Sequence, residues 1–195
     1  IDMTDLHMAL LPDRGVVAVS GADAGKLLQG LVTNDIDRLA SQAAIHAGLL
    51  TPQGKILFVF FVVKVPDGFL LETGRDKAAE LAKRLTFYKL RAAVTIADVS
   101  QRYQVAVSWN GEGSPSIPRA GSAVNAPITY PDPRHRQLGT RALFLTSDIQ
   151  LSAATNATAA DYRAHRICLG VPEADLDYPL GDTFPHEADF DLYAG

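Results

Sequence analysis

The residues of this chain that could do chemistry fall into a few groups. Arg134, Arg136 and Arg141 flank a loop, and Lys89 and Arg91 sit beside Tyr88. Guanidinium groups grip carboxylates in bidentate fashion, so these clusters suit a ligand that carries carboxylates. Basic clusters are also commonly plain solvated surface, and residue type alone leaves both readings open. His186, Glu187, Asp189 and Asp191 crowd one short segment. Those side chains ligate metals, but their spacing matches no metal motif and acidic loops are commonly just solvated, so no metal site is assigned. The single cysteine, Cys168, lies near the end of a helical stretch. A lone cysteine is most often a small buried apolar residue, and a nucleophile would need a base within reach. The chain contains no G-x-G-x-x-G, no phosphate-binding loop ending in Gly-Lys-Ser/Thr, no H-E-x-x-H and no G-x-S-x-G. That lowers the odds of a standard nucleotide enzyme or hydrolase, and no catalytic residue is assigned.

The elements that must position these groups follow from periodicity. Val16–Val19 reads as a strand, followed by a helix with Ala24, Leu27, Leu28 and Leu31 on one face, opened by a Ser20/Asp23 capping signal. Ile45–Leu50 and Ile56–Val65 read as strands joined by Thr51-Pro52-Gln53-Gly54, a type I turn sequence. Ile56–Val63 is apolar at successive positions, so that strand belongs in the centre of a sheet covered on both faces. Phe69–Glu72 returns as a partner strand. Thr73/Asp76 signals a second helix with Ala78, Leu81, Ala82 and Leu85 inward, and Val94–Val99 and Gln104–Trp109 read as strands. The Gly-, Ser- and Pro-rich stretch from Asn110 to Pro133 reads as loop and edge structure, and Leu143–Thr146 as a strand. Thr158/Asp161 opens a third helix that stops near Gly170, with Pro172 beyond. Antiparallel clusters interleaved with three helices point to α+β architecture rather than a doubly wound sheet. The stretch Ile45–Val99 has the look of a small module inserted in a larger one.

Composition narrows the classes further. The chain has 195 residues, 47% hydrophobic and 21% charged, with net charge −4. It is long enough for a sizeable core and ordinary for a globular protein. The acidic balance gives no reason to expect nucleic acid or an anionic membrane as partner. One cysteine excludes an internal disulfide and suits a reducing compartment. No run approaches the roughly 18 apolar residues of a membrane helix, and no signal-peptide layout opens the sequence. The expectation is a cytoplasmic protein.

Several stretches resemble the YgfZ family, relatives of the glycine-cleavage T-protein aminomethyltransferase. They are Gly21–Ala24, Leu28–Ile36 (LQGLVTNDI), Gly48–Leu57 (GLLTPQGKIL), Tyr88–Ala92 (YKLRA), Asp132-Pro133-Arg134, Leu138-Gly139, Arg141, Tyr162–Glu173 (YRAHRICLGVPE) and Phe184–Leu192 (FPHEADFDL). Each is unremarkable alone; nine in the same order are specific. The resemblance implies a T-protein-like folate-binding α+β fold: a discontinuous first folate-binding module over 3–46 plus 104–195, with an inserted ferredoxin-like module over 47–103. The family's Lys-Gly-Cys-Tyr-x-Gly-Gln-Glu signature would follow Gly195, so its cysteine and the C-terminal β-barrel are expected to lie outside this chain.

The resemblance further implies tetrahydrofolate as cofactor, and iron–sulfur proteins or their assembly machinery as partners. On this reading the chain is an accessory protein for assembly or repair of iron–sulfur enzymes. Asn34, Asp35, Lys89, Arg91, Arg166 and Glu187 are the expected pocket residues. Asparagine and carboxylates suit the paired donors and acceptors of a pterin, and the basic residues suit the glutamyl tail. A structural ion pair between Arg166 and Glu187 is the plain alternative. Two positions depart from the T-protein pattern. Its folate-activating carboxylate falls on Val59, and its pterin-binding glutamate falls on Cys168. Valine carries no proton, which argues against ordinary aminomethyl transfer. A folate-dependent aminomethyltransferase or demethylase, and a non-catalytic interaction module with a vestigial pocket, are the alternatives.

Overall fold

The computed structural model describes residues 6–110, 126–146, 155–193 and 195. Part of the Asn110–Pro133 stretch therefore lies outside the described residues. In chain order the elements are β1 (His7–Leu10), β2 (Arg14–Ser20), α1 (Ala24–Gln29), β3 (Ala44–Leu50), β4 (Ile56–Val65), β5 (Gly68–Gly74), α2 (Arg75–Tyr88), β6 (Thr95–Asp98), β7 (Tyr103–Trp109), β8 (Ile128–Pro131), β9 (Thr140–Leu145) and α3 (Ala159–Cys168). Short 3-10 turns cover Ile36–Ala40, Arg136–Leu138 and Pro185–Ala188.

Two antiparallel sheets form, ordered β3-β4-β5-β2-β6 and β1-β7-β9-β8. This is the α+β arrangement the strand pattern predicts. The five-stranded sheet takes its strands from residues 14 to 98, β2 and β3 included. β1 carries too short an apolar signal to be read from sequence; it pairs with β7, placing Ala9 opposite Val107.

The apolar run in β4 is explained by its two neighbours. Phe58, Phe60 and Val62 enter a core with α1 and α2, including Leu28, Leu81 and Leu85. Phe61 and Val63 enter a second core between the sheets with Val107, Tyr130, Leu143 and Tyr162. Side chains alternate across a strand, so a strand covered on both faces needs apolar residues at every step.

The Thr51–Gly54 turn forms as expected, with Gly54 N–H donating to Thr51 O (2.9 Å) and Gly54 at φ 83°. Of the three capping boxes only Thr158/Asp161 forms, with both reciprocal bonds present. α1 starts at Ala24 after Asp23, whose carboxylate instead accepts from Ala93 N–H (2.8 Å). α2 starts after Gly74, and Thr73 Oγ1 donates across the sheet to Val59 O (2.8 Å). In both cases a tertiary hydrogen bond outcompetes the local cap.

Candidate functional site

The second core contains charge. Register sets Phe61 opposite Glu72 in β4–β5, and Tyr130 opposite Arg141 in β8–β9. These two cross-strand pairs meet between the sheets. Arg141 donates from Nε to Glu72 Oε2 (3.0 Å) and from Nη1 to Asp132 Oδ2 (3.3 Å), and Tyr130 OH donates to Glu72. Arg14, at the start of β2, joins Glu72 (2.8 Å) to Glu173 (3.0 Å). Arg134 holds Asp132 through two nitrogens and reaches Glu173 (2.8 Å). The Phe61 ring lies beneath Arg141 (4.8 Å), Arg134 (4.9 Å) and Arg14 (5.8 Å), a favourable place for cations over an aromatic face.

Three guanidinium groups thus balance three carboxylates. Glu72 and Arg141 side chains are 0% and 2% exposed. Burial pushes the Glu72 carboxyl upward, but the Arg141 and Arg14 guanidinium groups outweigh it and hold Glu72 below its ordinary value. Burial likewise opposes ionisation of Asp132, and Arg134 and Arg141 overcome it. A charge buried between sheets is tolerable only when paired and hydrogen-bonded, and every member here is. Among the described residues no buried side-chain nitrogen or oxygen lacks a partner. Arg134 and Arg141 are therefore structural ties between the two sheets, already saturated, and not free ligands for an external carboxylate. Arg136, the third of that sequence cluster, is exposed.

A cleft of about 240 Å³ opens beside this network. Arg14, Arg141 and Glu173 form its charged base, Leu11, Val59 and Tyr162 its apolar walls, and Asp13, Asp76, Lys77, Arg163 and Arg166 its polar rim. Val59 is partly exposed, lining the cleft rather than sealed in the sheet. Lys77 pairs with Asp175 (3.1 Å), and Arg166 with Asp177 (2.6 Å). Among the described residues, Arg163 has no ion-pair partner. Burial pushes the Tyr162 hydroxyl up to about 12, so it stays neutral, and it accepts from Arg141 Nη1 (3.5 Å).

His46, on β3, closes the far side of the network. It is 4% exposed, lies between Phe61 and Phe190, and faces the carbonyl of Tyr193 (3.2 Å). A carbonyl only accepts, so the proton sits on Nδ1. Burial first, then the neighbouring Arg134 charge, lowers its pKa to about 4.

The residues expected from sequence do not gather in one place. Arg166 lines the cleft, buried, and donates to Val171 O as well as Asp177. Its ion-pair partner is Asp177, not Glu187. Asn34 donates to His46 O (2.8 Å) and borders a separate groove with Arg38, Pro131 and Pro133. Asp35 caps the following 3-10 turn through Asp37 N–H (2.9 Å). Lys89 donates to Val94 O (2.9 Å) at the end of α2, and Arg91 is exposed beside it. Glu187 accepts from Phe184 N–H (2.8 Å), stabilising its own turn. Cys168, expected in the core, is exposed: α3 turns Tyr162 and Arg166 inward and leaves Ile167 and Cys168 outside. Among the described residues no group of three or more His, Cys, Asp or Glu is placed to hold a metal ion.

Sequence reading missed Glu72, Asp132 and Glu173. A usable signal existed, because Glu72 ends the apolar run Phe69-Leu70-Leu71 and Arg141 stands inside a strand of Ala142, Leu143 and Phe144. Ionised residues at inward strand positions demand opposite partners.

No protein-family model matches the chain. It is 34% identical over 205 residues to the "Iron-sulfur cluster assembly factor IBA57 homolog, mitochondrial" of Mycosarcoma maydis, covering 96% of this chain and 49% of that protein. The protein of the same name from Neurospora crassa is 32% identical over 212 residues, covering 98% of this chain and 47% of that protein. The chain spans about half the length of the curated relatives it matches. Among solved structures, the glycine cleavage system aminomethyltransferase T of Bartonella henselae superposes with a TM-score of 0.74 at 12% identity, covering 97% of this chain and 58% of that one. The fold is therefore that of the T-protein. The cytoplasmic expectation is overturned: these relatives are named as mitochondrial. A lone cysteine and modest acidity suit any reducing compartment, so composition had no power to tell them apart. No helix among the described residues is long and apolar enough to cross a membrane.

Proposed function

We propose that this chain supplies the folate-type core of an accessory factor for iron–sulfur protein assembly, of the YgfZ kind, acting with iron–sulfur proteins or their assembly machinery. The observation that carries this reading is the similarity along nearly the whole chain to proteins named as iron–sulfur cluster assembly factors. The T-protein fold favours a reduced folate, tetrahydrofolate, as the small-molecule ligand.

The cleft residues fit a pterin head group. Leu11, Val59 and Tyr162 offer apolar walls for the ring, and Asp13 and Asp76 offer acceptors for its N–H donors. Arg163 is the cation available to a carboxylate-bearing tail, since Arg166 is engaged by Asp177 and Val171 O. The volume, about 240 Å³, lies below the roughly 300–1,000 Å³ of drug-sized pockets, which suits the head group with the tail in solvent. A bound folate would supply a one-carbon carrier. What this chain's residues contribute is binding and orientation, because Val59 can neither take nor give a proton where acid–base transfer would require it.

Two measurements test the reading. Saturating tetrahydrofolate should raise the melting temperature, since a ligand at about 100 times its Kd adds about 2.7 kcal/mol to stability. An unchanged melting curve, with no heat on titration, rejects the folate assignment. Loss of iron–sulfur enzyme activity in a strain lacking its own assembly factor, restored by a full-length protein but not by one carrying Arg163→Glu, an exposed cleft position outside the buried ion network, tests the assembly role separately, provided the variant melts like the wild type.

A further inference from the structure

Tyr88–Ala92 was singled out by sequence, yet the cleft does not use it. Here α2 ends in a basic, apolar knob. Phe87 is 74% exposed and Leu90, three residues on, is 85% exposed. Leu90 also sits at φ 46°, in the left-handed region that a leucine adopts only against strain. Neither residue needs that exposure for the fold, because Leu81, Ala82 and Leu85 already fill the helix's inward face. Strained backbone that presents an apolar side chain to solvent is a feature of binding surfaces.

The same stretch reaches a groove at Ala92. Leu27, Leu31 and Ala92 line a hollow of about 360 Å³ between α1 and the loop after α2, with Lys26 and Asp23 at its edge. Ala92 joins the groove to Leu90 through a single intervening residue. From residue 83 to residue 91 the sequence holds Lys83, Arg84, Lys89 and Arg91 and no acid, in a chain whose net charge is −4. Asp23 is already engaged by the Ala93 N–H.

We propose that this knob and groove are the docking surface for an amphipathic helix of a partner protein, apolar on one face and acidic along its flanks. Charge complementarity selects the acidic flanks. The groove lined by Leu27, Leu31 and Ala92 selects a protein element over a lipid surface, since helix-in-groove recognition fills a hollow that a bilayer would leave empty. The rigid presentation fits too: Lys89 is tied to Val94 O and Phe87 packs edge-on against Tyr88, so little side-chain freedom is lost on binding. The inference stands apart from the assembly-factor reading and does not depend on folate.

The test uses the whole chain and a fluorescent synthetic helix with leucines at i, i+4 and i+7 flanked by glutamates, against the same peptide with lysines in their place. Anisotropy should show the acidic peptide binding at least about tenfold tighter, with affinity falling as salt rises. Leu90→Asp with Arg91→Glu should weaken binding at least about tenfold. Leu90→Gly relieves the φ strain and should raise the melting temperature while weakening the peptide, a split that a merely structural leucine would not give. Equal affinity for both peptides, or binding indifferent to these substitutions, overturns the proposal. So does binding to phosphatidylserine vesicles in preference to the peptide, which would make the surface a membrane contact. Self-association abolished by Leu90→Asp would overturn it in favour of a second copy.

Discussion

His46 makes stability depend on pH in a way that can be calculated. Its folded pKa is about 4, against an ordinary histidine value of 6.5 in the unfolded chain. Between those values the unfolded chain binds a proton that the folded chain refuses, so stability rises with pH there. The contribution is fully present above about pH 6.5 and is lost as pH falls toward about 4. A shift of about 2.5 units corresponds to about 3 kcal/mol in total, of which about 2 kcal/mol disappears between about pH 7 and pH 5. The residue is 4% exposed, so solvent screening does not erode the figure. The carboxylates of the network are held low by their arginines and contribute their own pH dependence mainly below the histidine window. Urea unfolding of wild type and His46→Gln at a series of pH values separates the two. The wild-type free energy should fall by about 2 kcal/mol across that range while the variant stays nearly flat. Parallel lines for the two proteins would refute the reasoning, and would mean that His46 is hydrated or its pocket opens without cost.

The ion network gives a second prediction. Glu72→Gln leaves three guanidinium groups facing two carboxylates and should cost about 3–5 kcal/mol in chemical denaturation. Glu72→Leu combined with Arg141→Leu leaves Arg14 and Arg134 balanced by Asp132 and Glu173, and should recover at least half of that loss; additive losses would show that the pair is not coupled. At Gly139, φ is 84° and an added Cβ would meet the Ser108 carbonyl, so Gly139→Ala should lose about 2 kcal/mol or more, read by thermal melting, whereas a neutral result would show that β7 can yield there.

Periodicity by itself determined the three helices, most strands and the antiparallel α+β class, because local hydrophobic spacing mirrors which face is buried. The β4 run from Ile56 to Val63 is the best case: apolar residues at every step required cover on both sides, and the two cores supply it. Local chemistry also carried the Thr51–Gly54 turn and the Thr158/Asp161 cap, whose partners lie within a few residues. It failed at Ser20 and Thr73, where the expected caps lost to tertiary partners at Ala93 and Val59. The ordered stretches of family resemblance led to the T-protein fold, which periodicity alone could not name.

The site was less legible. Asn34, Asp35, Lys89, Arg91 and Glu187 have residue types that suit a pterin and its tail, yet Asn34, Asp35, Lys89 and Glu187 bond to backbone groups of this chain and Arg91 stands exposed. The buried network joins Arg14, Glu72, Asp132, Arg134, Arg141 and Glu173 across separations of up to 159 positions. Sequence shows that such charges exist; only the packing of one sheet on the other decides which are desolvated and which partner satisfies each. Exposure of Cys168 was decided the same way, by the rotation of α3 that turns Tyr162 and Arg166 inward. A helix with apolar and polar residues on several faces has no local reason to prefer one rotation, and here the ion pair to Asp177 and the core contact of Tyr162 set it.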